Sequence, residues 1–585
     1  MILKDLYQYY LIKRSGLFDA NYYLLQNPDV RQADIDPLWH FIRFGWKEGR
    51  GPNPNFSCNY YNETHHDVKR SQMNPLAHYV KFGESENRST NVRLPSKNIQ
   101  PAGLVSKNQA TLWNDELWRN IQELPLSQTV DIVICVGPNP SNVIECLSSI
   151  RKYTNESSYN LHFVIHQNDL EKISSIISPD INLHLHDMEL FNYSRANNMV
   201  MRHSVNDIVL LNDDTEVTPG WLEKLQKASK GVALTGAHTH HGCAGNPDMY
   251  GDGPTILTHF PINMFCAYIP RRLKEVVGLL DEEFVYYGGE DVDYSIRALM
   301  NGFPLVISEA FVIHKDNQSF KESKEMLIKE SDKIILDKYG IVSPFNLSSV
   351  IPLVSIILAT HNRPQLLHAA IESIEKINYE NFELIIVDDG SSNQTSKVVL
   401  KAQDQNSNIK YIRLAKNQGA AEARMVGLRA SNGQFVFFAD DDDTVLMNRI
   451  SGPMECLLTR PNLDVVYCNY NVVNDQGIFP IYTENFDRQR YLEMEFYIGL
   501  GILLGRKKPF SEVPLKTSYN NAGDYDWVFR LLRKGYKIDL CPEIVMNYNR
   551  TGPMDQHLTG TEASHKQHQE IYEREILLKK IERYD

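Results

Sequence analysis

The chain has 585 residues, more than a single hydrophobic core accommodates, so several domains are expected. With 42% hydrophobic and 23% charged residues, the composition excludes a largely disordered or fibrous chain. Lys+Arg total 60 against 73 Asp+Glu, a net charge of −13; this excludes a general nucleic-acid binder, but not an anionic small substrate held through a cation.

The eight cysteines are scattered, with no CxxC pair or metal-ligand spacing, and suit a reducing compartment. The opening MILKDLYQYYLIKRSG lacks the apolar stretch and small-residue cleavage site of a signal peptide. No apolar run reaches the ~18 residues of a spanning helix. A soluble, cytoplasmic protein is the expectation.

Residues 1–92 contain an ungapped repeat. FDANYY (18–23) returns as FSCNYY (56–61), and PLWHFIRFG (37–45) as PLAHYVKFG (75–83), each 38 residues on. Each copy predicts two short helices, one around Tyr22–Leu25 and one from Pro37 to a glycine stop at Gly45. The aromatics either form the module's own core or dock it to an acceptor, partner or membrane surface. Residues 93–128 form a polar linker in which Trp113, Leu117, Ile121 and Leu124 are spaced for a connector helix.

A larger repeat follows. VDIVICV (130–136) and VSIILAT (354–360) are the β-branched runs of buried parallel strands, each followed by an apolar-periodic helix. Further on, VLLNDDTEV (209–217) and VFFADDDDTV (436–445) are strands that end in acids. Asp291, Asp293, Arg297, Leu299 and Gly302 recur as Asp524, Asp526, Arg530, Leu532 and Gly535. The expected organisation is an α/β domain over 129–345 and a tandem copy over 350–585, joined near Ser343–Pro352.

In open α/β sheets, ligands bind beyond the carboxyl ends of the strands. Asn212, Asp213 and Asp214, and then Asp440 to Asp443, fall there. Bare carboxylate clusters attract hard cations such as Mg²⁺ or Mn²⁺, completed by substrate phosphates. The competing assignment is to helix caps and turns, since Thr215 and Thr444 could open a helix. Recurrence of the cluster in both copies favours the metal.

Both halves resemble glycosyltransferase family 2 domains of the GT-A fold. The second half carries VSIILATHNRP, LIIVDDGSS, NQGAAEARMVGL, FFADDDD and GDYDWVFRLLRKG; the first carries FNYSRANN, LLNDDTEV, YYGGEDVDYSIRALMNGF and VIHKDNQSF. The N-terminal repeats resemble modules appended to bacterial surface-polysaccharide glycosyltransferases. The resemblance implies two Rossmann-like, mostly parallel sheets and an inverting transfer from nucleotide-sugar donors, UDP-linked foremost, to a saccharide acceptor. It assigns donor contacts to Asp388, Asp389, Asp440, Asp441, Asp213 and Asn212. It gives the divalent cation, Mn²⁺ or Mg²⁺, to Asp214, Asp442 and His314. It places the general base at Asp291, beside Glu290, and at Asp524.

Each half also departs from the family pattern. In VIHQNDL (164–170), His166 and Gln167 stand where the first half needs a base-binding acid, with Asp169 or a backbone group as substitute. In the second half Gly523 replaces the Glu before Asp524, and Thr551 stands near the place of the late histidine, with His557 further on. His238, His240 and His241, ahead of GCAGNPDMYGDG (242–253), form an ordinary polar loop rather than a zinc site. GLGILLG (499–505) is not a phosphate loop. The IYEREILLKKIERY helix (571–584) serves core packing, or surface docking if the acceptor is carried on a lipid at the inner face of a membrane.

Two active sites imply successive or alternating sugar additions. The alternatives are one catalytic domain beside a saccharide- or nucleotide-binding scaffold, and, more remotely, a nucleotidyltransferase.

Overall fold

Aromatic packing organises the described residues of 1–99, the first of two units into which the computed structural model divides the chain; the second is 100–585. The structure describes 8–83 with short gaps, 112–550 apart from 138, 190, 241–245, 285–287, 316–323, 341–345, 493–495 and 518–522, and Ile571. The rest of the expected C-terminal helix, and the stretch with Thr551 and His557, lie outside the described residues.

In the first unit, α1 (Pro37–His40) is capped by Asp36, which accepts Trp39 N–H at 2.7 Å. In α2 (Pro75–His78) the buried Asn74 carboxamide accepts from Leu76 and Ala77 at 3.0 and 3.2 Å. The sequence predicts one regular helix from Pro37 to Gly45. Instead each helix widens into a π-turn, Phe41–Gly45 and Tyr79–Gly83. Gly45 leaves the turn bare on one side, and the Tyr23 hydroxyl occupies the place of its missing Cβ. Tyr23 is hydrogen-bonded to His40 at 3.0 Å and Tyr61 to His78 at 3.3 Å, so the same contact recurs 38 residues on.

The second unit holds two sheets. The first contains β1 (Val130–Val136), β2 (Tyr159–His166), β3 (Ile181–His186), β4 (Asp207–Asn212), β5 (Thr215–Val217), β6 (Leu234–His238), β7 (Ile256–Thr258), β8 (Cys266–Ile269) and β9 (Leu305–His314). The second contains β10 (Val354–Thr360), β11 (Phe382–Asp388), β12 (Ile409–Arg413), β13 (Phe435–Asp440), β14 (Thr444–Val445), β15 (Val465–Asn474), β16 (Gly477–Ile481), β17 (Leu503–Arg506) and β18 (Ile538–Asn549). The orders are β3-β2-β1-β4-β8-β6-β9-β5 and β12-β11-β10-β13-β17-β15-β18-β14, the same path twice. Only the additional strand differs: β7 pairs with β9, whereas β16 pairs with β15.

In both sheets the first four strands on this path are parallel, and the strand after them runs antiparallel. The central strands are buried on both faces, in keeping with their largely apolar runs. Helices flank the sheets: α3 (Pro140–Tyr153) packs on β5 and α4 (Glu290–Met300) on β9 in the first half, and α5 (Ala420–Arg429) packs on β10 and β11 in the second, which also holds α6 (Gly523–Arg533).

α5 lies so close to β10 and β11 that a Cβ on Gly427 would overlap Ile357 Cγ2 and sit 3.1 Å from Val387 Cγ2. Gly427→Ala would gain about 0.8–1 kcal/mol in helix propensity but lose about 1–3 kcal/mol to overpacking. The expected result is net destabilisation, visible as a lower urea midpoint.

One hydrophobic core runs continuously through both halves. At their junction Arg272 donates to Pro461 O (2.9 Å), Leu463 O (3.2 Å) and Asp464 (2.7 Å). Arg506 reaches back to Asn301 O at 2.7 Å, its guanidinium between the Phe303 and Phe435 rings at 5.1 and 5.2 Å. The expected connector helix is only Asp115–Arg119; beyond it the backbone binds neighbours instead, Gln122 N–H to Thr459 O (2.7 Å) and Leu124 N–H to Lys230 O (2.9 Å).

Candidate active site

Because β1 and β4 are parallel, their carboxyl ends share one edge of the first sheet, and Asn212 closes β4 there. Its N–H donates to Phe265 O at 2.9 Å. Asp213 accepts Gly137 N–H at 2.8 Å, and burial pushes its carboxyl up to about 6. Asp214 is buried, with Oδ1 3.4 Å from His314 Nε2. The β5–β9 pairing sets His314 opposite Thr215, next to Asp214, and its ring stacks on Phe265 at 4.9 Å and 11°. His314 Nδ1 is buried without a hydrogen-bond partner among the described residues.

Asp291 stands in the first turn of α4, where it accepts its neighbour Val292 N–H at 2.8 Å and Asn263 Nδ2 at 2.9 Å. Burial raises its pKa; burial and the Asp291 charge raise that of Glu290. The segment 263–265 ties these groups together. Asn263 holds Asp291, Met264 O accepts the Tyr193 hydroxyl at 3.0 Å, and Phe265 meets both Asn212 and His314.

In the second half β13 ends at Asp440, and the acids meet arginines. Arg424 of α5 pairs with Asp440; against the cost of burial, the Asp440 and Asp524 carboxylates raise its pKa. Arg363 Nη1 bridges Asp441 (3.1 Å) and Asp442 (3.0 Å). Asp441 also accepts the Thr360 hydroxyl at 2.8 Å, and burial pushes it up to about 6. Asp442 is raised by burial and then by Asp440, while Arg363 opposes the shift. Asp524, in the first turn of α6, accepts the Tyr497 hydroxyl, and burial raises its pKa.

Asp388 and Asp389 are buried and already hydrogen-bonded. Asp388 accepts Ser391 N–H and the Tyr411 hydroxyl, both at 2.7 Å. Asp389 accepts the N–H groups of Gln418 (2.6 Å) and Gly419 (2.8 Å), which fixes the loop entering α5.

The matched registers align the halves position by position. Asn212 lies opposite Cys135 as Asp440 lies opposite Ala359, so Val136 corresponds to Thr360. Val136 faces Ile165 and Thr360 faces Asp388. Ile165 and His166 therefore occupy the places of Asp388 and Asp389, one residue earlier than the sequence suggested. His166 accepts Asn168 N–H at 3.1 Å, and Asp169 pairs with Lys172 at 2.5 Å. Likewise His314 faces Thr215 and Asn547 faces Thr444, so Asn547 rather than Thr551 is the counterpart of the late histidine. The second acid loop also has one more residue, Asp443, which accepts Asn549 N–H at 2.9 Å.

Sequence reasoning missed Arg363, Arg424, Asn263, Tyr497 and Asn547. For Asn547 the signal existed: the spacing that maps Asp291 onto Asp524 also maps His314 onto it. His238 is buried in β6, and His240 packs on Phe311 at 4.6 Å. Among the described residues, no three His, Cys, Asp or Glu side chains form a ready metal cage. The Asp214–His314 pair is nevertheless a suitable partial donor set for Mn²⁺ or Mg²⁺, which bind few protein ligands alongside substrate phosphates. Asp442 is the more open of its neighbours but is shared with Arg363.

The doubled α/β architecture places a group of acids at the same strand ends in each half. Residues 355–536 match the family model described as glycosyl transferase family 2, and the chain carries a domain of that family in its second half. It is similar to an uncharacterised glycosyltransferase of Haemophilus influenzae, 30% identical over 188 residues, which are 31% of this chain and 63% of that protein. A second relative is the Escherichia coli UDP-Glc:alpha-D-GlcNAc-diphosphoundecaprenol beta-1,3-glucosyltransferase WfgD, 36% identical over 126 residues, 22% of this chain and 49% of that one. The matches thus span less than two thirds of these relatives. Among solved structures, Staphylococcus aureus TarS 1-349 in complex with UDP-GlcNAc aligns at 19% identity and TM-score 0.32 over 36% of this chain and 61% of that one.

Proposed function

We propose that the chain is a metal-dependent, inverting glycosyltransferase with a transfer site in each half. It would move sugars from nucleotide-sugar donors to a saccharide acceptor, lipid-linked as in the WfgD name, in cell-surface polysaccharide synthesis. The observation that carries this reading is the recurrence, at the same strand ends of two identically ordered sheets, of an acid loop and a helix-borne carboxylate. The family match over 355–536 supports it.

In this reading Asp214 and His314 would hold a divalent cation in the first half and Asp442 would in the second. When bound, the cation neutralises charge on the departing diphosphate. Asn212, Asp213, Asp440 and Asp441 shape the donor side; Asp388 and Asp389 hold the loop through which the donor base is read. Asp291 and Asp524 accept the proton of the acceptor hydroxyl as it attacks the anomeric carbon. Asn263 and Tyr497 aim these carboxylates. No helix among the described residues is long and apolar enough to cross a membrane.

The test is a transfer assay on the full chain with mixed nucleotide-sugars and Mn²⁺. Two linkages are expected, both lost with EDTA; Asp214→Ala removes one and Asp442→Ala the other. A single linkage abolished by only one variant would favour the alternative of one catalytic half beside a binding half. No metal-dependent transfer at all would overturn the proposal.

A further inference from the structure

The acid clusters lie at the carboxyl ends of β4 and β13. At the opposite end of β13, where the two halves meet, lies a cavity of about 510 Å³, within the about 300–1,000 Å³ typical of small-molecule sites. Its walls come from both halves: Arg272, Glu275 and Asn301 from the first, Gln434, Arg506 and Lys534 from the second.

In a chain of net charge −13, this cavity is lined by five basic side chains against three acidic ones. The basic groups are Arg272, Arg506, Lys507, Lys508 and Lys534. The acids are already engaged: Asp464 by Arg272 (2.7 Å) and the Lys537 N–H (2.9 Å), Glu275 by Arg271 (2.7 Å), Glu512 by the Tyr536 hydroxyl (2.7 Å) and by Lys534 (3.7 Å), which leaves Arg506, Lys507 and Lys508 without an acid of the lining in an ion pair. Arg506 is the clearest sign of an incompletely paired cation: the Asp464 charge acts on it, but no ion pair to it is formed among the described residues. It is 4% exposed, its donors reach only backbone carbonyls, and its Nη2 has no hydrogen-bond partner among the described residues. Burial, followed by repulsion from Arg272, lowers its pKa to about 9. Lys507 spends its ammonium on Ser431 O at 2.5 Å, and burial lowers its pKa as well.

An unsatisfied guanidinium beside lysines is the arrangement that recognises phosphate oxygens. Tyr536 adds an aromatic wall. We infer that this cavity is a second anion site, binding a diphosphate-bearing small molecule and joining the two halves through Arg272 and Arg506. The ligand's source is either inorganic diphosphate or a nucleoside diphosphate. Neither the acid loops nor Asp291 and Asp524 take part, so the site stands even if the transfer reading fails.

The experiment is calorimetric titration of the full chain with inorganic pyrophosphate, and separately with ADP, in EDTA at about 50 mM salt. One saturable site is expected for at least one probe. Lys508→Glu with Lys534→Glu, both exposed positions, should weaken it tenfold or more, and Asp214→Ala with Asp442→Ala should leave it unchanged. The tighter probe identifies the ligand type. Absence of saturable binding, binding insensitive to the lysine reversals, or binding lost in the aspartate variant would each overturn the inference.

Discussion

Asp524→Asn is expected to lower kcat for the second-half linkage by about 10²–10⁴-fold, with KM nearly unchanged, and Asp291→Asn to do the same for the first. Asparagine keeps the shape and can still meet Tyr497 or Asn263, but it cannot take a proton. The pH dependence gives the sign. Burial raises both carboxyl pKa values, and a base works only when ionised, so each rate falls as pH drops through a value above the ordinary carboxylate range. The Tyr497 hydroxyl donates to Asp524 and thereby favours its ionised form. Tyr497→Phe should therefore shift the acid limb of the second activity to higher pH and leave the first in place. A limb that stays at the same pH in Tyr497→Phe would remove Asp524 from the base role.

The second large effect concerns stability. Trp527, one helical turn after Asp524, is fully buried; its indole N–H donates to Val513 O at 2.6 Å and its ring packs on Phe510 at 4.8 Å. Trp527→Ala should cost about 3–5 kcal/mol through the cavity alone. Leaving Val513 O unpaired adds about 1–3 kcal/mol. Against a domain stability of about 5–15 kcal/mol this is severe. The expected outcome is a lower urea midpoint and loss of the second linkage at 37 °C; Trp527→Phe, which forfeits mainly the hydrogen bond, should fall between. Equal midpoints for Trp527→Ala and the parent chain would contradict this packing.

What the sequence displays well is what neighbours along the chain decide. VDIVICV and VSIILAT are mostly apolar because both faces of these strands are covered, with Asp131 and Ser355 the polar exceptions near their starts, and acids at 213–214 and 440–443 mark the strand ends. The α/β class and the doubling were legible for this reason. Arg363 and Arg424 were not, because their meeting with Asp440 to Asp442 depends on loops and helices that return from elsewhere in the sheet. The one-residue displacement from His166–Gln167 to Ile165–His166 has a similar origin: pairing register across strands decides it. The π-turns at Phe41–Gly45 and Tyr79–Gly83 likewise follow from ring packing rather than helical propensity.

The junction of the halves also sets a timetable. Phe303 and Arg506 are some 203 residues apart, and the chain leaves the ribosome at about 5–20 residues per second. For about 10–40 s the first half is therefore made while Phe303 still lacks the Arg506 guanidinium that covers one of its faces. The contacts at Phe303 and Arg272 are completed only when residues of the second half have been synthesised.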